Sequence, residues 1–170
     1  MSGVSLRANE TLESTLNQYG DMILRLAYSS LKSRDDAEDV LQDVMIRLLE
    51  NDPDFESDEH RKAWLIRVTI NLCRNRLRSP WRRMNELDEA RSEEAVDQAW
   101  EPAMQEESGV LTAVMALPQK YREVIHLFYY EDQSIIQIAQ ILHKKESTIR
   151  SLLHRARNLL KETLKEGYEL

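Results

Sequence analysis

A chain of 170 residues that is 42% apolar and 31% charged can fill one ordinary domain or two small ones beneath a large hydrated surface. Four glycines and four prolines leave little turn chemistry for strands, so an all-α fold is expected, and the lone cysteine, Cys73, excludes an internal disulfide and a cysteine-rich metal site. The net charge of −7 counts against nucleic acid only as an average, because the charge is blocked along the chain.

Residues 1–15 hold no basic run leading into an apolar one, and no segment reaches membrane-spanning length. The sequence therefore reads as a cytoplasmic protein with no direct membrane insertion. Leu12, Leu16, Tyr19 and Ile23 recur three or four residues apart and continue through Leu26 and Ala27, the period of a first helix. A second helix is expected over 35–50, with Val40, Leu41, Val44, Met45, Leu48 and Leu49 facing inward. Asn51-Asp52-Pro53-Asp54 stops it, since proline disfavours helical geometry in the residue before it. From Asp35 to Glu59 eleven acids stand against one base, Arg47. A third helix is expected over 59–77, with Trp64, Leu65, Val68, Leu72 and Cys73 at its apolar positions and Ser79-Pro80 at its end. There the balance inverts: Arg61 to Arg83 contains eight bases and no acid.

Between Met84 and Glu107 nine acids oppose one base, large apolar residues are few and Pro102 interrupts. This stretch reads as an acidic flexible linker with at most a transient helix. The expected organisation is a domain over 1–83, a linker over 84–107 and a domain over 108–170. Periodicity returns at Val110, Leu111, Val114 and Leu117, and Pro118 opens a helix running through Tyr129. Two more helices are expected over 134–142 and 147–164. Blocks of alternating charge also arise where solvated helix faces simply differ in composition, and on charge alone both readings stand.

The last two helices have the layout of a helix-turn-helix. Ser134 caps the first, whose packing face is Ile135, Ile138, Ala139 and Leu142, with His143-Lys144-Lys145 as the turn. In the second, Ile149, Leu152, Leu153, Ala156 and Leu160 form one apolar stripe. Arg150, His154, Arg157 and Lys161 fall on another face, flanked by Ser147, Ser151 and Asn158, with Arg155 at its edge. Such a face offers charges to phosphates and donors or acceptors to base edges in a major groove. A plain basic surface helix has the same pattern.

Four segments carry a resemblance: DAEDVLQDVMIRLLE (36–50), AWLIRVTINLCRNRLR (63–78), LPQKYREVIHLFYYEDQSIIQIAQIL (117–142) and STIRSLLHRAR (147–157). In this order and spacing they resemble the extracytoplasmic-function sigma factors, small sigma-70-type subunits of bacterial RNA polymerase. The resemblance implies two small helical domains, an N-terminal helical bundle (region 2) and a C-terminal helix-turn-helix (region 4). It implies a protein that binds core polymerase and directs promoter-specific initiation without being an enzyme, and with no cofactor or metal.

For particular positions it implies that Asp39, Gln42, Asp43 and Arg47 dock on the clamp coiled coil of the polymerase β′ subunit, with the β subunit as a further contact. On residue type alone, a solvated acidic face that merely caps its helix is the preferred reading. Arg67, Asn71, Arg74, Asn75 and Arg78 correspond to the helix that reads and opens the −10 element, where asparagine pairs with base edges and arginine holds phosphates. Single-stranded DNA in a basic groove also calls for aromatic platforms; Trp64 could be one but is read as core. The loop 53–60 corresponds to the family's specificity loop, which captures a flipped base. Ser147, Arg150, Ser151, His154, Arg155 and Arg157 correspond to the −35 reader.

This sequence departs from the pattern at Leu152, where a basic residue is common, at Gln137, where glutamate is common, and at His143-Lys144-Lys145, a turn that often contains glycine. Partners implied are core RNA polymerase, promoter DNA both double-stranded and melted, and an anti-sigma factor. The linker either threads the polymerase near its active-site cleft or RNA exit path, or is an inert spacer. A regulator binding an operator without polymerase accounts for the second module and leaves the first two segments unexplained; a decoy or adaptor is a further alternative. An enzyme has the least support, since there is no Gly-rich phosphate loop and no metal-ligand cluster, and Cys73 reads as a small core residue rather than a redox switch.

Overall fold

In the computed structural model, residues 2–79 and 109–168 are described, with side chains over 11–79 and 109–166. The acidic segment 84–107 lies outside the described residues, as do the bases Arg82 and Arg83. Every regular element among the described residues is a helix, and the chain forms two units, Met1–Ala103 and Met104–Leu170.

The first unit consists of α1 (Ser2–Leu31), α2 (Arg34–Asn51) and α3 (Asp58–Arg78), each packed on the other two. Its boundaries are chemical. Ser33 caps α2 by accepting the Asp36 N–H, and Ser57 caps α3 by accepting the His60 N–H. Asp52 closes α2 in the left-handed conformation at φ 41°, and Pro53 then prevents continuation. The core is Tyr19, Met22, Ile23, Leu26 and Ala27 from α1, Ala37, Val40, Val44, Met45 and Leu48 from α2, and Leu65, Ile66, Ile70 and Cys73 from α3.

Three expectations need correction. The apolar spacing puts Leu49 inward, yet it is 46% exposed, because it lies about 140° round α2 from Val44. Leu16 is likewise exposed, while Thr15 and Tyr19 take the inward arc of α1. On α3 the buried stripe is Leu65, Ile66, Thr69, Ile70 and Cys73, one step from the expected one, and Trp64, Val68 and Leu72 are half-buried. A helix wedged between two others has a wide apolar arc, which spacing alone cannot phase. Thr69 tolerates burial by donating its hydroxyl proton to the Leu65 carbonyl at 2.7 Å.

The second unit runs α4 (Val110–Ala116), α5 (Gln119–Ile125), a single π turn (His126–Tyr130), α6 (Ile135–Leu142) and α7 (Glu146–Tyr168). The expected uninterrupted helix through Tyr129 is thus α-helical only to Ile125. The Glu131 N–H reaches back five residues to the His126 carbonyl, and the widened turn brings His126 Nε2 within 3.2 Å of Glu131 Oε1. Both side chains are buried, so their mutual contact replaces the water each has lost. Gln133 donates to the Glu131 carbonyl at 3.0 Å, and its own N–H to the Leu127 carbonyl, tying the connection down.

Arg122 is 5% exposed and plugs the corner between α4 and α5. Its guanidinium donates to the carbonyls of Met115 at 3.3 Å and Leu117 at 2.8 Å, and to Gln119 Oε1. Burial pulls its pKa below the ordinary arginine value, with Glu123 opposing that shift. Ser134 and Gln137 form a complete capping box at the start of α6, so glutamine supplies what glutamate would at that place. His143 closes α6 with φ 54°, a left-handed conformation usually left to glycine. Leu152 belongs to the core at 8% exposure, beside Ile149, Leu153 and Ala156.

Candidate polymerase and promoter interfaces

One base spans the acid edge of α2. Arg76, near the end of α3, lies 3.6 Å from Asp36, 3.8 Å from Asp39 and 3.4 Å from Asp43. These three acids recur at i, i+3 and i+7 and so share a face. Asp39 and Asp43 nonetheless keep 59% and 44% of their side-chain surface exposed, so a basic partner can still reach them. Gln42 and Arg47 are exposed on the same helix, and the Arg47 carbonyl accepts from Asn51 Nδ2. Beside them, Ile46 is 50% exposed, which gives the outer face of α2 an apolar component together with Leu49.

On α3 the residues Arg67, Asn71, Arg74, Asn75 and Arg78 follow one helical stripe. Arg67, Asn71, Asn75 and Arg78 are exposed and Arg74 is half-buried, opposite the core-facing Leu65, Thr69 and Cys73. The loop before α3 is anchored by Phe55. Its ring meets His60 edge-on at 5.5 Å and Trp64 at 5.7 Å, and the Arg61 guanidinium lies 5.5 Å from its centre. The Glu56 N–H donates to His60 Nδ1 at 3.2 Å. Tyr19 donates its hydroxyl proton to the Asp58 carbonyl at 3.3 Å; burial, then the Asp58 charge, raises its pKa above the ordinary tyrosine value. Trp64 is thus half-buried against Phe55.

On α7, Ser147, Arg150, Ser151, His154 and Arg155 are all exposed. Arg150 pairs with Glu146 at 3.4 Å, a surface contact that a phosphate can displace. Arg157 is half-buried, and its Nε donates to the Tyr129 hydroxyl at 2.7 Å. Among the described residues no group of three or more His, Cys, Asp or Glu side chains is arranged to hold a metal ion, and no helix is long and apolar enough to cross a membrane.

Two helical units with these faces match known families in the same order. Residues 15–83 match Sigma-70 region 2, and residues 109–160 match Sigma-70, region 4. The ECF RNA polymerase sigma factor SigM of Mycobacterium tuberculosis is 32% identical over 145 residues, covering 85% of this chain and 71% of SigM. The chain belongs to the extracytoplasmic-function sigma factors of the sigma-70 family. SigW of Bacillus subtilis is 26% identical to this sigma factor over 160 residues, 87% of this chain and 86% of SigW. In fold it is similar to the sigma factor RpoE in complex with the anti-sigma factor NepR from Bartonella quintana, with a TM-score of 0.65, 24% identity and coverage of 92% of this chain and 98% of that one. As a sigma factor it is a DNA-binding regulator of transcription initiation by RNA polymerase.

Three residues of these surfaces escaped the sequence reading. Arg76 carried a legible signal: it continues the inward arc of Leu65, Thr69 and Cys73, so a base there had to meet the acid-rich neighbouring helix. Phe55 is the one large apolar residue between Pro53 and His60, which marked it as an anchor. Tyr129 carries no such sign, because it lies in the π turn, where the helical period no longer fixes the face a residue takes.

Proposed function

We propose that this sigma factor binds core RNA polymerase through the acid edge of α2, reads and opens the −10 element with α3, and reads the −35 element with α7. Docking is assigned to Asp39, Gln42, Asp43 and Arg47, with further contact to the β subunit. Reading of the −10 element is assigned to Arg67, Asn71, Arg74, Asn75 and Arg78, and of the −35 element to Ser147, Arg150, Ser151, His154, Arg155 and Arg157. Region 2 spans 1–83, the acidic tether 84–107 and region 4 spans 108–170. The protein works in the cytoplasm and catalyses no reaction itself.

The observation that carries this reading is the segregation of charge. An acidic helix edge with half-exposed carboxylates, an exposed arginine–asparagine stripe and an exposed basic, hydroxyl-bearing helix face occupy separate surfaces of two small units. Polymerase then holds both readers on one tether, and two modest interfaces become specific together through effective concentration. The net charge of −7 keeps the free protein off DNA. Control by an anti-sigma factor belongs to the same proposal, supported by the RpoE–NepR complex.

The test compares promoter binding by the free protein and by its complex with core polymerase, using fluorescence anisotropy on specific and scrambled promoter fragments. Selective binding only in the complex is expected. Equal affinity and selectivity for the free protein would sink the proposal.

A further inference from the structure

Arg157 stands on the same narrow stripe of α7 as Arg150, His154 and Lys161, at i+7, i+3 and i−4 spacing. Unlike them, it is built into an aromatic corner. Its Nε donates to the Tyr129 hydroxyl at 2.7 Å, and its guanidinium carbon lies 5.5 Å from the Phe128 ring centre and 5.6 Å from that of Tyr129. The two rings meet edge to face at 4.9 Å. Both belong to the π turn, whose geometry is pinned from beneath by the buried His126–Glu131 contact at 3.2 Å. Tyr129 remains 52% exposed, so the corner it forms with Arg157 lies at the surface of the unit.

An arginine held at Nε keeps its two terminal nitrogens as a planar, paired set of donors, the geometry that meets two oxygens of one phosphate. Neither terminal nitrogen of Arg157 hydrogen-bonds to a described residue. The aromatic corner removes the rotamer freedom that binding would otherwise cost this long side chain. We propose that Tyr129 is a positioning residue for promoter binding, locking Arg157 so that its terminal nitrogens present a two-pronged donor to one phosphate of the −35 duplex. This rests on the reading of α7 as the DNA-facing helix. Phe128 stacks on the guanidinium, and Tyr129 fixes its rotation.

The test measures affinity of the complete holoenzyme for a −35-dependent promoter as a function of salt, for Arg157→Ala, Arg157→Lys, Tyr129→Phe, their combinations and Arg150→Ala. Arg157→Ala should weaken binding about tenfold and reduce the salt slope by about one, the signature of one lost phosphate contact. Arg157→Lys should restore the slope but not the affinity, since ammonium is a point charge. Tyr129→Phe keeps the ring and loses the hydroxyl; it should weaken binding about threefold with the slope unchanged. Added to Arg157→Ala, it should have no further effect. Additive losses, or no loss with Tyr129→Phe, would overturn the proposal. If Arg150→Ala and Arg157→Ala both leave affinity and slope unaltered, the reading of α7 itself fails. Loss with Arg150→Ala alone refutes only the positioning role. Unchanged helical melting curves for Tyr129→Phe distinguish lost positioning from lost folding.

Discussion

Replacing Arg122 with methionine keeps most of the aliphatic bulk of a buried side chain and removes its five donors. In the structure the guanidinium satisfies the Met115 and Leu117 carbonyls, at 3.3 and 2.8 Å, where α4 ends. Hydrogen bonds to a charged group contribute roughly 1.5–3 kcal/mol each. Burial disfavours the charged guanidinium and offsets part of that gain, as its lowered pKa shows. A net cost of about 3 kcal/mol follows for Arg122→Met, a large fraction of the roughly 5 kcal/mol expected of so small a unit. Hydrogen exchange on the full chain reads this directly, as about a hundredfold fall in protection across α5, α6 and α7 with little change in α2 and α3. Arg122→Lys should fall between, because one ammonium cannot span both carbonyls and Gln119 Oε1 at once. A fall of less than about threefold for Arg122→Met would refute the reasoning that this side chain closes the corner.

Charge reversal at Asp39 and Asp43 (to lysine) should weaken core-polymerase binding at least about tenfold in a competition assay without unfolding the protein, since both acids are half-exposed; unaltered binding would remove the docking assignment. Arg76→Ala removes the base shared by Asp36, Asp39 and Asp43 and should cost about 1 kcal/mol in urea denaturation at low salt, shrinking as salt screens these charges. Ser134→Ala removes one side of the capping box and should destabilise region 4 by about 1 kcal/mol, read from the shift in its denaturation midpoint. The raised pKa of Tyr19 means that the folded state favours the neutral phenol, so its contribution is complete below the ordinary value of 10.0 and is lost as pH rises past it. Region 2 stability should therefore fall less steeply above that pH in Tyr19→Phe, measured by circular dichroism.

Much of this arrangement is legible in residue order because local rules agree with the fold. Ser33, Ser57 and Ser134 each cap the helix they precede, and Pro53 and Pro118 stand at helix boundaries. The face of α7 follows from period alone, since its apolar residues occupy a single arc. Where the apolar arc is broad, period loses its power: on α3 Trp64, Val68 and Leu72 are half-buried beside a buried stripe that lies one residue away from the expected one. The π turn was invisible for a different reason. It is held by a contact between His126 and Glu131, and by backbone bonds that span five and six residues, none of which has a signature in helical period. Arg76 and Arg157 show the same limit at the interfaces, where a base judged only by type proves to be committed to a neighbour.

The central claim is that the two units act together as a promoter-selecting subunit of RNA polymerase. Run-off transcription with purified core polymerase, this protein and a genomic pool of promoter fragments tests it most directly. Transcripts that appear only when the protein is present, and that share one upstream pair of elements, are the predicted result. Stable binding of the protein to core polymerase with no dependent transcript from the pool would contradict it.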